Sequence, residues 1–128
     1  MRAPMTEAVP AVKPPPHMTG CVCEQGGARF TEFETQDVGC DETEGRFADV
    51  TLNRCRSCGR LWLRYLVEYE AFSRSGRWAR GLIGEEAAQT ITPQAAVDHL
   101  NGLEWYLYGG SYFDGISGRR SGPMRWGP

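Results

Sequence analysis

The chain has almost no lysine or histidine: Lys13 is its only lysine, and His17 and His99 are its only histidines. With a single lysine, the arginine excess reads first as a preference for arginine codons, and only second as a device for gripping phosphate. His99 adjoins Asp98, but neighbours in a helix do not face each other, so no catalytic dyad is implied. Long apolar runs are also missing. Nothing approaches the about 20 apolar residues of a membrane span, and prolines and charges interrupt the N-terminus before a secretory apolar stretch builds up. A cytoplasmic address without membrane contact is the expectation. The five cysteines would there remain reduced unless a metal or catalysis uses them, and an odd number cannot complete a disulfide framework.

What is present fits one domain. The chain has 128 residues and a formal charge of -2. Residues 1–19 hold five of the eight prolines and no aromatic residue, the composition of a flexible leader. The remainder is expected to form one α+β domain over residues 20–114, with an irregular tail over 115–128. Charge is divided along it: between Glu32 and Asp49 acids outnumber the single Arg46 by seven to one, and between Arg54 and Arg80 seven arginines face only Glu68 and Glu70.

Four segments alternate as half-buried strands do. Ala28–Thr35 and Arg46–Asn53 are expected to pair as a hairpin, placing Ala28 across from Asn53. In Leu61–Phe72, the residues Leu61, Leu63, Tyr65, Val67, Tyr69 and Ala71 share one face, with Arg64, Glu68 and Glu70 on the other. Ser73–Gly76 supplies a turn, and the strand from Arg77 returns with Trp78 opposite Ala71 and Leu82 opposite Val67, Arg77 and Ala79 facing outward. Thr92 and Pro93 then open a helix in which Ala96, Leu100, Leu103 and Leu107 mark one side, with Gly102 either its stop, which propensity favours, or an interior glycine. The expected fold is α+β: a four-stranded antiparallel sheet with one packed helix.

Chemistry concentrates in the cysteines. Cys55-Arg-Ser-Cys58-Gly59 has the spacing of a metal knuckle, in which the backbone curls over an ion and a glycine leaves with positive φ. Cys21-Val-Cys23 is one residue shorter than the usual knuckle. Two residues along an extended strand lie roughly 6.5 Å apart, so this pair needs a local curl, which Gly20 and Gly26-Gly27 would permit. The expected hairpin brings the chain before its first strand beside the chain after its second, and four thiols converge. Over residues 20–63 this arrangement resembles a zinc ribbon, in which two knuckles at one end of a small antiparallel sheet enclose the ion. The resemblance implies zinc held by Cys21, Cys23, Cys55 and Cys58, with a single iron as the alternative and Cys40 or His17 as substitute ligands for Cys21 or Cys23. Arg54, Arg56 and Arg60 would balance the thiolate charge.

Competing readings are two metal-free thiol pairs and a redox-active Cys55/Cys58 pair. The latter would be expected between a strand and a helix, whereas here the chain runs into another strand pattern. A zinc deaminase would need a proline before Cys55 and a histidine or cysteine two residues before a glutamate; Arg54 and Val22 stand there instead. The functional expectation is a non-catalytic zinc-binding module whose partner is another protein. The alternatives are an RNA- or DNA-binding ribbon using Arg54, Arg56, Arg60 and Arg64, and a small metal- or thiol-dependent enzyme. In the aromatic segment 105–113, Trp105 and Leu107 are expected in the core, and Tyr108, Tyr112 or Phe113 at an interface with Arg119, Arg120, Arg125 and Trp126.

Overall fold

The structure is a computed structural model and describes residues 20–127. The proline-rich leader and His17 lie outside the described residues. One antiparallel sheet organises the rest: β1 (Phe33–Asp41), β2 (Ala48–Cys55), β3 (Leu61–Val67), β4 (Arg77–Leu82), β5 (Tyr106–Gly109) and β6 (Gly118–Arg120), side by side in chain order. Two short helices, α1 (Glu85–Thr90) and α2 (Ala96–Asn101), connect β4 to β5. The class is α+β and mostly β, with six strands instead of the expected four. Among the described residues no helix is long and apolar enough to cross a membrane.

Both sheet faces are covered. On one, Val50, Leu52, Leu63, Tyr65, Val67 and Ala79 pack with Ala96 and Leu100 of α2, Tyr106 and Trp126. This is the face that the alternation in β3 announces. The reverse face carries a smaller aromatic cluster of Phe33, Trp62, Leu107, Cys23 and Cys55, with Trp78, Leu82 and Trp105 at its margin. Trp62 is fully buried, so the reverse of β3, expected to be largely wet, is dry toward the end where Cys55 lies.

Register departs from expectation in both hairpins. β1 begins at Phe33, paired with Cys55, and Thr35 lies opposite Asn53 where Ala28 was expected. Phe30 and Phe33 are three residues apart and cannot share a strand face; a 3₁₀ turn over Phe30–Glu32 leaves Phe30 84% exposed and buries Phe33. The strand then runs through the supposed loop to Asp41. A bulge between Asp37 and Gly39 lets it do so, with Gly39 at φ +141°. A side chain at Gly39 would meet the Pro93 ring at 2.8 Å, so glycine is required there.

In the second hairpin Leu82 pairs with Trp62 and Arg77 with Val67. The connection is the longer segment 68–76, in which the Ser75 hydroxyl donates to the Tyr69 carbonyl and accepts from its N–H. The register shift is an odd number of residues, and an odd shift exchanges the two faces. Trp78 and Leu82 therefore join the reverse cluster, and Arg77 and Ala79, expected outside, are fully buried. Arg77 is tolerated because it donates to the carbonyls of Ser75, Arg125 and Gly127 and sits 3.7 Å from the Tyr112 ring centroid.

The expected helix is present but ends at Asn101; the Gly102 N–H closes it on the Asp98 and His99 carbonyls. Leu107, expected on its apolar side, belongs to β5 and faces the reverse cluster. Residues 115–128, expected to be irregular, supply β6, and Met124 and Trp126 from the same segment are buried in the main core. Trp126 packs edge-on to Tyr65 at 4.7 Å, and its carbonyl accepts from the Tyr69 hydroxyl.

Candidate metal centre

The Cys21–Cys23 pair is curled by a 3₁₀ turn over Val22–Glu24, closed by Glu24 N–H on the Cys21 carbonyl at 3.0 Å and Gln25 N–H on the Val22 carbonyl at 3.1 Å. That turn supplies the bend which a one-residue spacer lacks when extended. Cys55 ends β2. Its N–H donates to the Arg60 carbonyl, and its carbonyl accepts from Gly59 N–H, both at 2.9 Å. Gly59 leaves the turn at φ +80°, a conformation that glycine adopts without steric cost. The Phe33–Cys55 pairing and the Arg56 N–H on the Glu32 carbonyl at 2.9 Å bring the two segments together.

All four sulfurs lie within 4.8 Å of one another. Cys21 and Cys55 are 3.6 Å apart, and Cys23 and Cys58 3.5 Å. Four sulfurs at about 2.3 Å from a tetrahedral ion have edges of about 3.8 Å, so the set fits one ion. The four are free thiols. Cys23 and Cys55 are buried, Cys21 half-buried and Cys58 exposed. Burial drives the Cys23 thiol far above its ordinary range, with the Cys58 and Cys21 thiols adding to the effect. It also raises Cys58. Cys55 differs: burial opposes ionisation there too, but the N–H groups of Cys58 and Ser57 and the Cys21 thiol bring it down to about 7. Protons on such a cluster are what a soft divalent cation displaces.

Two buried side chains with N–H groups that lack ordinary partners lie against Cys23. The buried Trp62 indole N–H forms no hydrogen bond of ordinary geometry, yet it acts on the Cys23 sulfur and favours its thiolate. Arg80 is 3% exposed. Its Nη2 donates to the Cys23 and Gln25 carbonyls at 2.9 and 3.0 Å, while its buried Nε has no acceptor. The four-sulfur donor set, with the Trp62 N–H acting on the Cys23 sulfur, fits a metal–thiolate centre.

The arginines named from sequence are close by but occupied. Arg54 grips both carboxylate oxygens of Glu85 at 2.6 and 2.7 Å and donates to the Gly59 carbonyl. Arg56 reaches the Thr31 carbonyl and Glu34. Arg60 pairs with Glu24, a buried carboxylate that also accepts from Gly20 N–H. Burial opposes the Arg60 charge, the Glu24 pairing more than offsets this, and Cys58 and Cys23 add to the effect. Arg80 was missed in the sequence; its signal was a place between Trp78 and Leu82 on one strand face.

Cys40 lies exposed in β1, outside the sulfur cluster. The His99 ring contacts the Leu82 carbonyl at 3.0 Å. Of the expected interface aromatics, Tyr108, Tyr112 and Phe113 are half-buried and pack on one another at 4.8 and 5.1 Å. Trp126 is 5% exposed and belongs to the core. Among the described residues, the large apolar side chains that do face solvent are Phe30, Phe47, Phe72 and Ile116. In comparisons with known proteins, no family model, no curated protein and no solved structure matches the chain.

Proposed function

We propose that this is a non-catalytic metal-binding domain of a reducing compartment, in which Cys21, Cys23, Cys55 and Cys58 hold one zinc ion and the folded surface binds another protein. The observation that carries the metal is the convergence of four sulfurs from two distant segments, at separations of 3.5 and 3.6 Å within each facing pair. Zinc is preferred because a tetrahedral set of four thiolates is its ordinary structural site, though the same set also suits a single iron. When bound, the ion would supply a cross-link between the turn at Cys21–Cys23 and the end of β2. The residues do the rest: the two turns set the sulfur positions, and the Trp62 and Arg80 side chains exclude water from the buried side.

A four-sulfur set leaves no position for a reacting water, and among the described residues no histidine joins the cluster. Both features support a structural role. The nucleic-acid reading is weakened because Arg54, Arg56 and Arg60 are each paired with a carboxylate, so the knuckle offers phosphate little uncommitted charge. Support for a protein partner comes from Phe47 and Phe72, 65% and 56% exposed, on the loops opposite the cysteine end. Phe47 holds φ 51°, a left-handed conformation unusual for an aromatic residue. Exposed aromatics of this kind anchor protein interfaces. Affinity capture from the native source, with wild type and an F47S/F72S variant as baits, tests the surface. A companion retained by wild type and lost by the variant is expected; equal recovery on both would contradict it.

A further inference from the structure

Arg80 is buried with no carboxylate. Among the described residues every recorded ion pair involves other groups, and the charge closest in β3, directly across the strand pair, is Arg64, also positive. Three aromatic rings surround the guanidinium, with Phe33 at 5.1 Å and Trp62 and Trp78 at 5.3 Å. A buried cation beside a like charge is costly, and Arg80 offsets this with two carbonyls and rings no nearer than 5.1 Å, where Arg77 has three carbonyls and a ring at 3.7 Å. Two of the rings around Arg80, Phe33 and Trp62, pack in one cluster with Cys23 and Cys55, and Nη2 lies on the Cys23 carbonyl at 2.9 Å. The guanidinium therefore sits against the cysteine end, where the sulfur cluster can supply the anion. Four thiolates around a divalent ion carry about two negative charges.

We infer that Arg80 is the positioning residue and buried counter-cation of the four-sulfur centre: its guanidinium holds the Cys21–Gln25 turn in ligating shape and offsets the charge of the metal-bound thiolates. This rests on the metal reading above and extends it to a residue far away in sequence, on β4. Nη2 bridges two carbonyls of the short turn, so one side chain both fixes the curl and faces the charge. The metal and the guanidinium then depend on each other. Without the anion Arg80 is stranded, and without Arg80 the dianion lies against an aromatic wall.

The test uses the full chain as wild type, R80M, which keeps the apolar stem, and R80K, which keeps the charge. Zinc affinity is measured by competition with a chromophoric chelator, and the iron-loaded form is examined by voltammetry. R80M is expected to bind zinc about 10–100-fold more weakly, and its iron potential is expected to fall, because a nearby positive charge favours the more negative reduced state. R80K should keep the wild-type potential and recover part of the affinity. Should R80M fail to fold, R80Q, neutral but able to donate to the same carbonyls, replaces it, with the same lowered potential expected. A neutral variant with wild-type affinity and potential would overturn the inference alone. Weaker zinc binding with an unmoved potential would also overturn it, since the side chain would then act only on the shape of the turn. Wild-type protein that takes up neither metal would remove the metal reading and this inference with it, and that result appears before any variant is compared.

Discussion

Replacing Cys58 by serine isolates the metal from ordinary packing, because Cys58 is the exposed member of the set. Exposed substitutions usually change stability by no more than about 0.5 kcal/mol. By contrast, structural zinc contributes roughly 10–16 kcal/mol of apparent binding energy. If four ligands share that about evenly, losing one removes about 2.5–4 kcal/mol. At about 4–8 °C per kcal/mol for a domain of this size, the expected loss in Tm is about 10–30 °C. Against a total stability of about 5–15 kcal/mol, such a loss loosens the domain greatly, most of all where the total lies at the low end. The assay is thermal unfolding by circular dichroism in zinc-containing buffer, with C40S as the control, since Cys40 is exposed and outside the cluster. C40S should melt within a few degrees of wild type. A C58S midpoint that matched C40S would refute the reasoning.

The C-terminal segment is expected to be structural: W126A, which empties a site 5% exposed beside Tyr65, should cost about 3–5 kcal/mol in urea unfolding. G110A should fail to fold or melt far below wild type, because Gly110 holds φ +120° and an added Cβ would lie 2.5 Å from the Gly76 carbonyl oxygen; size-exclusion and thermal melting decide it. Asp41 predicts an acid limb. Burial would raise its carboxyl pKa, but the Thr43 hydroxyl, the Tyr65 hydroxyl and the Thr43 N–H outweigh that and leave it lowered. Its contribution should therefore be fully present above about pH 4, the value in an unfolded chain, and be lost as pH falls through the lower folded-state value. Denaturant midpoints across that window should show a slope that D41N lacks.

The cysteine pairs were legible because a metal knuckle is local: Cys55, Cys58 and Gly59 state their geometry within five residues, and any hairpin joining the flanking segments would bring Cys21 and Cys23 near. The apolar stripe of β3 was equally plain, since Leu63, Tyr65 and Val67 alternate without interruption. Register was not legible. Phe30 and Phe33 both invite burial, and only the turn at Phe30–Glu32 decides between them. The β3–β4 loop hides its length in Ser75, whose hydroxyl closes on Tyr69 through contacts that no periodicity encodes. β6 is three residues long with glycine and arginines, too short and polar to alternate. It exists because β5 offers it an edge. Arg80 escaped notice for a related reason: a strand arginine normally reads as solvated, and its burial follows from the aromatic cluster that covers the reverse face, which the alternation in β3 does not announce.

Metal content of freshly purified protein, measured by elemental analysis and native mass spectrometry together, bears most directly on the account. One equivalent of zinc or iron per chain is expected, lost on chelation along with compactness, and absent from a C23S/C55S variant. Protein that is compact and metal-free as purified, and indifferent to chelator, would contradict it.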